Sequence, residues 1–422
     1  MLLFQHIFVT DGIRERTMKL NKIYSAILLS TLPLSTVQAA GLDRSGQSIS
    51  AFLQPGNYAE AGISILDPDV KGKSTVKNPA MGIDLTGEKI GDMADDYYFP
   101  SAAIKVQATD KISLGLIYDQ PFGADAAYGT ETQSFSETHP LNKITEGTSV
   151  EVKTENLTAL LGYQLNENWN IYAGPVWQTV EANIKLRGAA YKNTGYNIKL
   201  DTEEAYGWLA GFAYQIPEIA LKASITYRSE ISHDAKSTET SNLALAAMQM
   251  PDEDPRKAIY ATKGFRQSTV NATTPQSVNL DLQTGIAANT VAFANVRWVH
   301  WDQFTVSPEM LGELGQDLIS YSDDQWSATV GIGRKLNAKW SGSASVGYDS
   351  GAGNPVTTLG PTEGYWNIGL GAQFSPAENY FIQGGVKYFW LGDATARTGI
   401  TDVADFKDNH ALGYGMKIGY RF

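Results

Sequence analysis

Three arginines stand where neighbouring residues alternate in polarity: Arg187, Arg228 and Arg297. A guanidinium binds a carboxylate through two parallel hydrogen bonds, so each could hold an anionic ligand. The commoner fate of such an arginine is a structural pair with a lumen acid, such as Glu230 or Asp281. A second set of residues is apolar. The run 242–251 has helical character and ends at Pro251. It offers Leu243, Leu245, Met248 and Met250 either to a greasy ligand or to neighbouring loops. Methionine is unbranched and adapts to partners of variable shape. The third set is Tyr118-Asp119-Gln120-Pro121-Phe122-Gly123. Proline removes a ladder donor and glycine packs nothing, so Pro121, Phe122 and Gly123 mark a kink or bulge, or the point where a strand becomes loop.

Catalytic chemistry has no comparable signal. The chain lacks a Gly-x-Ser-x-Gly elbow, a His-Glu-x-x-His pair and a phosphate loop. It has no cysteine, which excludes disulfides and thiolate metal sites, and its 5 histidines are too scattered for a metal cluster. A net charge of −12 argues against nucleic acid as a partner. Neither an enzyme nor a cofactor is expected.

The elements that must position these residues are strands. The last segment alternates without fault. Leu412, Tyr414, Met416, Ile418, Tyr420 and Phe422 fall on one side, and Gly413, Gly415, Lys417, Gly419 and Arg421 on the other. Period-two alternation of a large apolar face with a small or charged face suits a strand between lipid and water. The 21 tyrosines, 9 tryptophans and 40 glycines suit such a wall, because half of each strand is polar and girdles are aromatic.

About fourteen stretches repeat the pattern: 58–70, 98–108, 112–128, 150–165, 169–187, 204–216, 219–232, 276–287, 290–306, 321–336, 340–349, 365–374, 380–391 and 410–422. Their connections alternate between tight polar turns, such as 109–111 and 166–168, and long loops, such as 71–97 and 233–275. Short inner turns and long outer loops belong to an outer-membrane barrel. The fold class is therefore all-β: a transmembrane antiparallel β-barrel of about fourteen strands.

Parity assigns the faces. Leu221, Ala223, Ile225 and Tyr227 point to lipid, with Lys222, Ser224, Thr226, Arg228 and Glu230 in the lumen. Val278, Leu280 and Leu282 point out; Asn279, Asp281 and Gln283 point in. Glu181, Asn183, Lys185 and Arg187 share one face and are assigned inward, because a charge facing lipid costs about 2–4 kcal/mol at the midplane.

Upstream, Met18-Lys19-Leu20-Asn21-Lys22, an apolar run and Val37-Gln38-Ala39 make a secretory signal peptide over 1–39, with 1–17 read as a mis-assigned start or an extension. Residues 40–56 form a short N-terminal hatch or plug, in which Ser45-Gly46-Gln47-Ser48 is the candidate core, and 57–422 form the barrel.

Several passages resemble the long-chain fatty acid transporter family of outer-membrane proteins, of the FadL/TodX type. They are Ile65-Leu66-Asp67-Pro68-Asp69-Val70, Phe99-Pro100-Ser101, Thr226-Tyr227-Arg228-Ser229-Glu230 and Trp301-Asp302-Gln303-Phe304. The resemblance implies a fourteen-stranded monomeric barrel in the outer membrane, with lipid and lipopolysaccharide around it. It also implies capture of a hydrophobic ligand at outer loops, lumen binding near Arg187, and lateral exit at a kinked third strand. The terminal Phe422 is what the family's barrel-assembly machinery is expected to read. One departure is clear: the family's hatch is long and carries Asn-Pro-Ala before the first strand. Here Asn78-Pro79-Ala80 follows that strand, and the hatch is shorter. The expected function is passive uptake of hydrophobic, fatty-acid-like molecules. A diffusion porin for small polar solutes and a surface adhesin are the alternatives.

Overall fold

The structure, a computed structural model, describes residues 42–79 and 82–422; the expected signal peptide lies outside them. Fourteen antiparallel strands form a closed barrel. They are β1 (Tyr58–Asp69), β2 (Tyr97–Gln107), β3 in two pieces (Ile112–Asp119 and Gly123–Ala127), β4 (Ser149–Gln164) and β5 (Trp169–Leu186). Next come β6 (Tyr196–Ile216), β7 in two pieces (Leu221–Arg228 and Ile231–Thr240) and β8 in two pieces (Phe265–Thr274 and Ser277–Ala287). β9 (Thr290–Val299), β10 (Gln325–Lys335), β11 (Trp340–Asp349), β12 (Tyr365–Ala377), β13 (Tyr380–Leu391) and β14 (His410–Arg421) complete the wall. β14 pairs with β1 from Tyr58↔Arg421 to Asp69↔His410, which closes the ring.

Alternation decides which residues face out. Leu114, Leu116, Leu161, Ile171, Leu280, Leu282, Val330, Ile332, Leu370, Met416 and Ile418 all project from the wall. Near the short turns, aromatic rings meet in tilted pairs: Trp169 with Tyr214 (4.7 Å) and Trp340 with Phe374 (4.8 Å). Toward the long loops, Trp208 pairs with Tyr227 (5.2 Å), Trp298 with Trp326 (6.4 Å) and Tyr348 with Trp366 (4.8 Å). Two girdles with an apolar band between them define the lipid-facing zone.

Above the outer girdle the two faces exchange polarity, which corrects the inward assignment of Glu181, Asn183 and Lys185. There β5 buries Val180, Ala182, Ile184 and Leu186, while Glu181 and Asn183 are exposed. The parity is the one expected. Its solvents have changed: above the girdle, water lies outside and packed loops lie inside. Only Arg187, just past the end of β5, is buried.

Other expected bounds shift for related reasons. The segment 233–275 contains the upper pieces of β7 and β8, paired from Ile231↔Thr274 to Thr240↔Phe265. Both strands break at the same level, at 229–230 and 275–276, and parity flips across the break. Ile231, His233 and Ala235 are therefore buried, and Glu230 is exposed instead of facing the lumen. β9 stops at Val299, so Trp301 and Phe304 turn inward.

Three long loops contribute Gly72–Ser74, Lys89–Ile90, Val356–Thr357, Ala394–Thr398 and Thr401–Phe406 to one five-stranded sheet. Phe406, Ala404 and Ala396, on its strands, are fully buried. It is tied to the barrel by the Tyr128 hydroxyl, which donates to the Thr358 carbonyl at 2.6 Å.

Candidate functional site: the lumen and the break in the third strand

β3 carries one residue too many at its break. Between Lys153↔Gly123 and Asn156↔Asp119, β4 supplies Thr154 and Glu155, whereas β3 supplies Gln120, Pro121 and Phe122. The extra residue is a bulge, and Pro121 cannot donate to a ladder. Thr154 takes over locally: its hydroxyl accepts from the Phe122 amide (2.9 Å) and donates to the Phe122 carbonyl (2.7 Å). Parity flips here as well, so Asp119 is buried below the break and Phe122, Ala124 and Ala126 above it.

The break has a consequence for β2. β2 and β3 pair only from Gln107↔Ser113 to Ala102↔Tyr118. Above that point β2 continues along β1 as far as Leu66↔Tyr97, without a β3 partner. The N-terminal segment occupies the inner side of this interval. Asp43 forms an antiparallel bridge with Phe122. The Arg44 amide donates to the Pro121 carbonyl (2.7 Å), and the Gly123 amide to the Leu42 carbonyl (2.9 Å).

Residues 43–54 then run through the lumen, held at three levels. At the break, Arg297 donates to Asp43 through Nε (2.6 Å), to Gln47 Oε1 through Nη2 (3.0 Å) and to Asn279 Oδ1 through Nη1 (2.6 Å). The side chains of Arg297 and Asp43 are only 2% and 1% exposed. Arg228 donates to the Gln47 carbonyl, Asn279 to the Gly46 carbonyl (2.8 Å), and the Ser45 hydroxyl to Asp119. Lower down, Ile49 and Phe52 pack with Leu160, Tyr172, Val176 and Leu209. Phe52 lies so close to the wall that a Cβ on Gly115 would sit 2.5 Å from its ring. Lowest of all, Lys222 donates to the Leu53 carbonyl (2.6 Å) and Lys105 to the Gln54 carbonyl (2.5 Å).

The sequence-selected arginines therefore fall in two places. Arg228 and Arg297 share Gln47 in the lumen. Their partners come from the N-terminal segment and β8, not from Asp281 or Glu230; Asp281 accepts from Asn295 at 2.7 Å. Arg187 lies at the loop end, where it donates to Glu146 (2.8 Å), Asn197 Oδ1 (2.6 Å) and the Tyr196 carbonyl (2.8 Å). It lines a polar pocket of about 180 Å³ with Glu137, His139 and Asn242.

Glu146 is held down to a pKa of about 2 by the Lys185 ammonium and then by the Arg187 guanidinium. A depressed carboxylate contributes stability above its unfolded pKa and loses it as pH falls through its folded pKa. This anchor should therefore persist at neutral pH and fade between the ordinary glutamate range, about 4.3, and about 2. A ¹³C titration of the Glu146 carboxyl should show the low midpoint, and Arg187→Met should raise it. A midpoint unmoved by that change would dismiss the pairing.

The expected loop helix spans Leu243–Met248 and is followed by a second, Arg256–Ala261. Leu243 and Ala247 are buried, Leu245 and Met250 are half-buried, and Met248 is 78% exposed. Pro121, Phe122 and Gly123 lie at the break itself. Above it an apolar cluster lines the interior: Trp301 meets Phe122 (5.5 Å), Phe304 (5.1 Å) and Tyr321 (5.2 Å). Arg44 was not singled out from sequence, and Trp301 was noted only within a passage of family resemblance, not as a lumen residue. Trp301 lay within an expected strand, and Arg44 lay one residue before the candidate hatch core. One histidine meets two carboxylates: His300 Nδ1 lies 2.9 Å from Asp324 and 3.3 Å from Asp302, on the outer rim.

Comparison with known proteins places this geometry. Among curated proteins, none matches the sequence. Among solved structures, a Pseudomonas aeruginosa FadL homologue superposes with a TM-score of 0.68 at 16% identity, covering 88% of this chain and 92% of its own. The Pseudomonas putida toluene transporter TodX gives 0.61 at 12% identity, covering 92% and 99%. The Ralstonia pickettii toluene transporter TbuX gives 0.58 at 12% identity, covering 94% and 99%. At these identities the likeness concerns the fold. The family model described as outer membrane protein transport protein (OMPP1/FadL/TodX) matches residues 48–422. With a closed fourteen-stranded wall and a model matched over nearly its whole length, the chain belongs to that family, and it is an outer-membrane transport barrel, not an enzyme.

Proposed function

We propose that the chain, acting as a single barrel, takes up hydrophobic small molecules of the long-chain fatty acid type. The ligand is caught among the outer loops, enters the apolar interior around Trp301, and leaves sideways between β2 and β3. The observation that carries this reading is the interval above Ala102↔Tyr118, where the two strands no longer pair and the N-terminal segment lies behind them, up to the bridge between Ala94 and Ala126. Such an exit would deliver an apolar molecule to lipid without crossing water, whose cost for apolar surface is about 25 cal/mol per Å². Residues 42–54 act in this reading as the hatch that bars the direct path down the lumen. Arg187, Leu243, Leu245, Met248 and Met250 belong to the loop capture region, and Pro121, Phe122 and Gly123 to the exit.

The relatives TodX and TbuX are toluene transporters by name, so monoaromatic hydrocarbons are the second ligand class to test. A strain lacking this chain should grow poorly on dodecanoate as sole carbon source and normally on sugar. The purified barrel should not swell liposomes in sugar solutions. Steady swelling, with undiminished growth on dodecanoate, would replace this reading with the diffusion porin.

A further inference from the structure

Arg44 is the cation at the break whose Nε and Nη2 no carboxylate meets among the described residues; Asp125 attracts it only through space. The Arg44 side chain is buried, at 7% exposure, and its Nε and Nη2 have no hydrogen-bond acceptor among the described residues. The guanidinium spans the unpaired interval. On the β2 side it lies over the Tyr97 ring, 4.1 Å from the centroid. On the β3 side it rests against Gly123, where a Cβ would come within 2.6 Å of it. Arg297, by contrast, is paired with a carboxylate, and Arg187 likewise. Arg228 has the Gln47 carbonyl, with Nη1 unpartnered. Buried donors without acceptors are costly, and a charged one more so. A ring face offsets a cation only in part. The group that would satisfy Nε and Nη2 together is a carboxylate, which accepts two parallel bonds from that edge of a guanidinium.

We propose that Arg44 is the headgroup-binding residue of the lateral exit, and that the ligand it selects is an amphipathic carboxylate, not a neutral hydrocarbon. The proposal rests on the reading of the β2–β3 interval as the exit. A carboxylate reaching the break takes Nε and Nη2 of Arg44, and its alkyl chain lies along the apolar interior beside Phe122 and Trp301.

The test uses the full mature chain in detergent, with dodecanoate and dodecanol as probes of equal chain length. The wild type should bind dodecanoate about tenfold or more tightly than dodecanol, the range of one charge-assisted contact. In Arg44→Met, which keeps the alkyl stem, that ratio should fall toward one; Arg44→Lys should retain part of it. Equal weakening of both ligands in Arg44→Met, with the ratio intact, would make Arg44 a structural residue and overturn the proposal. A wild-type ratio near one overturns the proposal alone, while leaving the uptake function standing. This measurement needs no variant to fold. Wild-type protein that binds neither probe overturns both.

Discussion

Asp43→Ala is expected to loosen the N-terminal segment from the lumen wall while leaving the fourteen-stranded ring intact. Asp43 and Arg297 are almost fully buried and joined at 2.6 Å, so the alanine leaves a guanidinium with only neutral partners at Ser277, Asn279 and Gln47. Removing one partner of a buried ion pair costs about 3–5 kcal/mol. The loss falls on the docked segment, because β9 keeps its full ladders with β8 and β10. The chain has no native cysteine, so Ser50→Cys reports the segment cleanly. Its labelling by a water-soluble maleimide should rise about a hundredfold in the Asp43→Ala background, which corresponds to about 3 kcal/mol. Asp43→Leu with Arg297→Met should restore slow labelling, since an apolar pair can replace a buried ion pair at little cost. Labelling unchanged by Asp43→Ala would mean that Ile49, Phe52 and the lysine contacts hold the segment by themselves.

Gly123→Val should reduce uptake roughly tenfold without impairing assembly. A Cβ there would meet the Arg44 guanidinium at 2.6 Å and the Val152 carbonyl oxygen at 2.7 Å. The first contact can yield, because a side chain can move; the second is backbone in a continuous ladder. Overpacking of this kind costs about 1–3 kcal/mol, the scale of a tenfold effect. Valine favours strand, so β3 should still pair with β4, and the heat-modifiable migration of the folded barrel should persist. The added methyls fill the interval and push Arg44 out of it. Normal dodecanoate uptake by cells carrying Gly123→Val would remove the break from the transport path.

The wall was legible because membrane and lumen impose opposite demands on alternate residues. The final strand shows this: Tyr414, Met416 and Ile418 face out and Lys417 faces in, as parity requires. Short turns gave the strand ends at one rim within three residues. At the other rim the same rule misassigned Glu181, Asn183 and Lys185. Parity says which residues share a face, and it does not say where lipid ends and water begins. The β7 and β8 extensions were hidden for a related reason. Their breaks at 229–230 and 275–276 reset the alternation, so the pattern read as loop.

By itself the sequence determined the number of strands, their order and which residues share a face, because those follow from local alternation; at Pro121 one missing backbone donor marked either a kink or a strand end, and the pairing of Gly123–Ala127 with β4 decided for a break within the strand. Tertiary structure alone decided which cations remain available. Along the chain Arg228 and Arg297 look like partners for a ligand or for a lumen acid such as Glu230 or Asp281, yet a segment about 180 to 250 residues away supplies their partners, Gln47 and Asp43. Arg44 has no sequence signature at all. Its meaning comes from lying between Tyr97 and Gly123, across two strands that have parted, where burial has removed water and no acceptor among the described residues meets Nε and Nη2.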